Sequence, residues 1–133
     1  TVPYKTNGRD NKGMDCYGLV LECCRRCGKD LHDAVYASDK VKLDKITDYV
    51  LSLNVIETGV QKIGTIVQCE YDGRLHMAFM IDEKVCIHIT YDGVRLTPAT
   101  VMRNKRYFED IPFFHMDQLS YCIGEILKSN LTV

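Results

Sequence analysis

Gly13-Met14-Asp15-Cys16-Tyr17-Gly18-Leu19-Val20 is the stretch on which the fold turns, a polar turn running into an amphipathic helix. From Cys16 onward the apolar and sulfur-bearing residues fall at 16, 19, 20, 23, 24 and 27. At helical spacing these occupy an arc of roughly 140°, the width of a buried stripe. Tyr17, Gly18, Leu21, Glu22, Arg25 and Arg26 are assigned to the opposite face. Gly28 is the expected stop, with Arg25, Arg26 and Lys29 complementing the negative end of the helix dipole. Cys16 therefore opens the helix, where unpaired N–H groups and the positive dipole end favour an anion. Such a position lowers a thiol pKa from about 8.5 towards the reactive range. The competing reading makes Cys16 one more core cysteine, because a cysteine outside a disulfide usually behaves as a small hydrophobe.

Two histidines weigh on that choice. Segments 74–81 and 85–90 are rich in strand formers, and Asp82-Glu83-Lys84 supplies a polar turn between them. His76, Ala78 and Met80 share one strand face; Cys86, His88 and Thr90 share one on the next. A three-residue loop sets these faces together and makes the histidines direct or diagonal cross-strand neighbours. A two-residue turn without a bulge would separate them. A thiol at a helix start, a later imidazole and a polar group that orients it form the generalised triad of a cysteine hydrolase. Taken singly, each histidine is also readable as a structural strand residue.

The pattern Pro3-Tyr4 … Gly8 … Gly13-Met14-Asp15-Cys16-Tyr17-Gly18-Leu19-Val20 resembles the start of an NlpC/P60-type cysteine peptidase. That family reads P-Y-x-x-G-G, a short polar loop, then G-x-D-C-S-G-L-V. Gly64-Thr65-Ile66-Val67 and His76-Met77-Ala78-Phe79-Met80-Ile81 resemble its G-D-L-V … H-V-G-I-Y-I stretch. Val85-Cys86-Ile87-His88 resembles the following M-I-H-A strand. The resemblance covers residues 3–90, with 30–62 poorly matched. It implies an α+β, papain-like domain with the nucleophile helix packed on a small antiparallel sheet.

On the same resemblance Cys16 is the nucleophile, His76 the general base, and His88 the residue orienting it. Tyr4 reaches the substrate, and the Cys16 backbone N–H donates to the oxyanion. Asp15 matches a position near the substrate's amine end, and it is equally readable as a capping carboxylate. The implied reaction is thiol-protease cleavage of a peptidoglycan stem peptide through a thioester, with no cofactor. Tyr17 stands where many cell-wall members carry Ser, which argues against a strict need for a free L-Ala amine and places Tyr17 at the substrate groove. Thr65 stands where the family often has Asp.

Tyr17, the Gly28-Lys29-Asp30-Leu31-His32-Asp33 … Tyr36 segment and Gly93-Val94-Arg95-Leu96 are similar to phage tail members of the family. The resemblance thus extends to bacteriophage tail proteins as partners, with action at the cell wall. A silent tail-assembly module, or an acyltransferase or amidase on a non-wall substrate, uses the same residue set and stays open.

Composition sets the outer bounds. With 133 residues and 46% hydrophobic content, one domain spanning 1–133 is expected. A net charge of −1 leaves no electrostatic footprint for nucleic acid. No stretch approaches the roughly 18 apolar residues of a membrane span, and the N-terminus lacks a signal-peptide pattern. Seven cysteines are an odd number, and four lie on one helix stripe, which suits reduced thiols and synthesis in a bacterial cytoplasm. Cys24-x-x-Cys27, with Cys23 and His32, also reads as a zinc knuckle or redox motif. Its spacing provides no second ligand pair, so no metal site is expected.

The remaining segments are read as one or two helices in 39–53, a strand over 63–71 and a turn at Asp72-Gly73. A short strand over 93–96 follows. A final strand over 107–114 is kept to a sheet edge by Pro112, and a C-terminal helix covers about 117–128. His115 is read as structural, and Asn104 as a weaker third residue than His88.

Overall fold

The computed structural model describes residues 2–27, 55–59, 62–110 and 124. The helices expected within 39–53 and 117–128, the Gly28 stop, His32, Pro112 and His115 lie outside those residues.

The N-terminal segment folds onto a two-residue hairpin, β1 (Arg9–Asp10) and β2 (Gly13–Met14), and Tyr4 bridges Met14 in parallel. The main chain then enters α1 (Cys16–Arg26). Asp15 has the extended backbone of an N-cap, and its carboxylate accepts from the Gly18 N–H at 2.8 Å. At the other end Cys27 closes the helix by donating its N–H to the carbonyls of Cys23 and Cys24. Glu22 draws Arg25 and Arg26 of the last turn into one ion-pair cluster.

The stripe Cys16, Leu19, Val20, Cys23, Cys24 and Cys27 is buried throughout. The helix is covered more widely than its apolar spacing implies: Tyr17, Gly18 and Glu22 are buried as well. The cause is the N-terminal segment, which lies across the second face. A Cβ on Gly18 would stand 2.4 Å from the Gly8 carbonyl oxygen, so only glycine permits that approach.

A six-stranded antiparallel sheet receives the helix. It comprises β3 (Val55–Thr58), β4 (Ile66–Tyr71), β5 (Arg74–Met80), β6 (Val85–Thr90), β7 (Gly93–Pro98) and β8 (Arg103–Asp110), in spatial order β3-β8-β4-β5-β6-β7. Asp72 (φ 54°) and Gly73 (φ 74°) turn β4 into β5 with both central residues left-handed, the conformation a two-residue hairpin requires. The β5–β6 loop is closed by Asp82, whose carboxylate accepts from the N–H groups of Lys84 and Val85 at 2.6 and 2.7 Å. A 3-10 turn at Ala99–Val101 leads from β7 to β8.

The last strand departs from expectation. It starts at Arg103, ends at Asp110 before Pro112, and lies inside the sheet between β3 and β4. Over these residues β8 has a partner on each side, so the edge position expected from Pro112, itself outside the described residues, does not hold for the strand. β3, a strand the sequence reading did not assign, covers the outer edge of β8.

The sheet has two different faces. One carries Ile66, Met77, Phe79, Ile87, Ile89 and Phe108 and packs with α1 in the main apolar core. The other carries Val67, Cys69, Ala78, Met80 and Cys86, with Ala99 and Met102 packed among them. By strand alternation His76 and His88 belong to this second face.

Candidate active site

His76 is opposite Cys69 in the β4–β5 ladder and is almost fully buried, while His88 on β6 has no exposed surface. The β5–β6 register pairs Met80 with Cys86 and Phe79 with Ile87. Extended, it sets Ala78 opposite His88, so the histidines are diagonal neighbours. Their rings meet edge to face with centroids 5.0 Å apart, and His76 Nε2 lies 2.8 Å from His88 Nδ1. The odd-length loop expected at Asp82–Lys84 produces this alignment. His88 Nε2 in turn lies 2.7 Å from Thr97 Oγ1 on β7. Tyr71 packs against both rings, at 5.3 Å from His76 and 4.9 Å from His88.

Burial governs the charge of this pair. It pulls His76 down to about 3, helped by the neighbouring His88. It likewise pulls His88 down to about 4, helped by the Arg95 cation. Both rings are therefore neutral at pH 7, and each has one N–H and one lone pair to place.

Cys16 and α1 pack with the apolar face of the sheet, whereas the histidines belong to the other. Cys16 and His76 nevertheless line one pocket, together with Tyr4, Tyr71, Leu75 and Thr90, while His88 contacts His76 from outside that lining. The β5–β6 ladder holds two residue pairs, both at the Phe79–Met80 end. Residues of both sheet faces line the pocket, Leu75 and Ile89 of one and His76 and Thr90 of the other.

At the rim Tyr4 meets Tyr91 edge to face, with centroids 4.6 Å apart. Arg74 stacks on the Tyr91 ring with its guanidinium carbon 4.7 Å from the centroid, and it donates to the Tyr91 hydroxyl. Asp72 completes this side of the opening.

Asp15 and Tyr17 are not among the residues lining the pocket. Asp15 is buried, and its oxygens accept from the N–H groups of Asn7 (3.0 Å) and Gly18 (2.8 Å) and from Arg9 Nη1 (2.7 Å). Tyr17 is in the core with the Arg9 guanidinium over its ring. Asn104 sits on β8 with a left-handed backbone (φ 51°), and the Nε2 of His76 is taken by His88 instead.

None of the six described cysteines forms a disulfide. Burial pushes the thiols of Cys23 and Cys69 far up, reinforced by neighbouring cysteines, and that of Cys86 to about 11. These three stay protonated at neutral pH. Among the described residues no cluster of three or more His, Cys, Asp or Glu side chains is arranged to hold a metal ion.

Tyr71, Arg74, Tyr91 and Thr97 escaped the sequence reading. Tyr91 and Thr97 lie beyond the histidine strand, and only register could have found Thr97: it is two residues along β7 from Arg95, the direct partner of His88. Among the described residues no helix is long and apolar enough to cross a membrane. A search of curated proteins found no match. A family model described as NlpC/P60 family matches residues 1–111.

Proposed function

The chain belongs to the NlpC/P60 family, which points to cell-wall peptidase or hydrolase activity, and we propose that it is a cysteine endopeptidase cleaving an amide bond in peptidoglycan stem peptides. The observation that carries this reading is the shared pocket of Cys16 and His76, with His88 bonded behind His76. Of the described cysteines only Cys16 lines the pocket with His76, which makes it the nucleophile in this reading.

The histidine geometry supports one proton path. With Nε2 engaged by His88, His76 presents Nδ1 as the lone pair that takes the Cys16 proton. His76 starts neutral, so proton transfer accompanies attack. Sγ bonds to the carbonyl carbon, and the negative charge on oxygen faces the start of α1, where the Cys16 N–H donates. The C–N bond then breaks, His76 gives its proton to the leaving amine, and a thioester remains. Water loses a proton to His76, attacks the thioester and releases the acid, and the proton returns to Sγ.

Tyr4 and Tyr91 flank the entrance with flat apolar surface, and Arg74 beside them suits a stem-peptide carboxylate. A phage tail setting rests on Tyr17 after the nucleophile and on the Gly93-Val94-Arg95-Leu96 segment that opens β7.

Mass spectrometry of muropeptides from purified sacculi, treated with the protein or its Cys16→Ala variant, tests the assignment. A new stem-peptide fragment dependent on Cys16 is the expected result. Uncut Gram-negative and Gram-positive sacculi with folded protein would sink the wall-hydrolase reading.

A further inference from the structure

We propose that Thr97 is a positioning residue that completes a three-member hydrogen-bond chain, Thr97–His88–His76, and stabilises the charged state of His76. The inference rests on the reading of His76 as the base.

When His76 receives a proton at Nδ1 it becomes an imidazolium with N–H groups on both nitrogens. Its Nε2–H must then donate to His88 Nδ1, 2.8 Å away. That nitrogen can accept only if it carries no proton, so the neutral His88 ring must hold its proton on Nε2. His88 has no exposed surface, and a buried N–H without an acceptor is costly. Thr97 Oγ1 stands 2.7 Å from that nitrogen. The hydroxyl accepts there while its own proton rotates away, which the half-exposed position on β7 allows.

The chain therefore ends on a neutral hydroxyl rather than on a carboxylate. At rest the hydroxyl satisfies either His88 tautomer, but only the one with its proton on Nε2 leaves His76 Nδ1 free to take a proton, and that tautomer already uses Thr97 as an acceptor. The same tautomer is the only one that works once His76 is charged. Polarisation along the chain strengthens the His88–Thr97 bond in that state, the property that raises turnover rather than affinity.

Strand β7 also explains why threonine suits the position. His88 is directly opposite Arg95 and diagonal to Thr97, so a short β-branched side chain reaches the ring edge without displacing it. The Cys86 thiol donates to the Thr97 carbonyl at 3.4 Å, further fixing this stretch of strand.

Two readouts test the proposal without knowledge of the substrate. One is the iodoacetamide alkylation rate of Cys16 across pH, followed on its own peptide by mass spectrometry. The other is the ¹⁵N shift pattern of His88, which reports its tautomer. Thr97→Val keeps the shape and removes the acceptor; Thr97→Ser keeps the hydroxyl. In Thr97→Val the His88 Nε2–H tautomer is expected to lose population. Cys16 alkylation at neutral pH is expected to fall about tenfold, the ratio that one buried neutral hydrogen bond sets, with Thr97→Ser close to wild type. Where sacculi are cut, kcat falls and KM holds.

A folded Thr97→Val protein with wild-type alkylation and an unchanged His88 tautomer would overturn the proposal. So would equal losses in the serine and valine variants, which would mark a packing role. Uncut sacculi together with a Thr97-dependent tautomer and alkylation rate would leave this chain standing and remove the wall substrate instead.

Discussion

The two halves of the site are held by different physics. Around Cys16 the support is ionic and local. The Asp15 carboxylate is bound by Asn7, Arg9 and Gly18, all within eight residues of it in sequence. Around His76 the support is neutral and assembled across strands, from β5 to His88 on β6 to Thr97 on β7. One anchors a helix terminus with an ion pair whose carboxylate is buried; the other keeps two imidazoles neutral at pH 7 by burial. A nucleophile needs a fixed position near N–H donors, whereas a base needs a lone pair aimed at it and a place to put charge later.

The comparison is broken most severely at the reacting atoms. Cys16→Ser and His76→Gln are each expected to lower turnover by roughly 10³-fold or more, read as kcat on muropeptides. A residual activity within tenfold of wild type in either would remove that residue from the chemistry.

Next in size is the ionic anchor. Asp15→Ala strips the cap from α1 and leaves Arg9, largely buried, without its carboxylate. About 3 kcal/mol of unfolding free energy should be lost in a urea titration. A loss under about 0.5 kcal/mol would show that the local network does not hold the helix start.

The histidine half responds to acid. Both imidazoles have folded pKa values below the ordinary 6.5, so the unfolded chain binds more protons between that value and about 3 to 4. Stability is therefore fully present above pH 6.5 and declines as pH falls towards the folded values. The loss is about 2 kcal/mol per histidine by pH 5 when each is treated independently. Thermal melts from pH 8 to 5 should show this decline, and a His76→Gln/His88→Gln double variant should flatten it. An equally steep decline in the double variant would assign the acid sensitivity to carboxylates.

The smallest effect sharpens the contrast. Arg95 is a cation that opposes charge on His88. Its removal in Arg95→Gln raises the folded pKa of His88 and reduces the acid penalty. Expected is a shift of the acid transition to lower pH by a few tenths of a unit, since Arg95 is solvent-exposed and screened. A shift to higher pH would contradict the neutral-pair picture.

Legibility in the sequence followed the range of the interactions. The α1 stripe, the Asp72-Gly73 turn and the β5–β6 hairpin depend on neighbours a few residues apart, and spacing alone located them, whereas capping was one of two equal readings of Asp15. The loop length at Asp82–Lys84 even fixed which faces of β5 and β6 came together. The breadth of α1 burial was not legible, because the covering N-terminal segment is not part of the helix period. The interior place of β8 was missed because Pro112 was read as keeping the last strand to an edge and because β3 carried no assigned pattern.

The sequence by itself determined the helix that begins at Cys16, the strands that carry His76 and His88, and the family to which the chain belongs, because each is written in local spacing. Tertiary structure alone decided that one pocket is lined by both Cys16 and His76, residues that belong to opposite faces of the sheet. It also decided that Thr97 closes the histidine chain and that Tyr17 and Asp15 turn into the core. Such outcomes depend on sheet order, register and the direction of buried side chains, which arise when distant segments compete for the same apolar surface and the same hydrogen-bond partners.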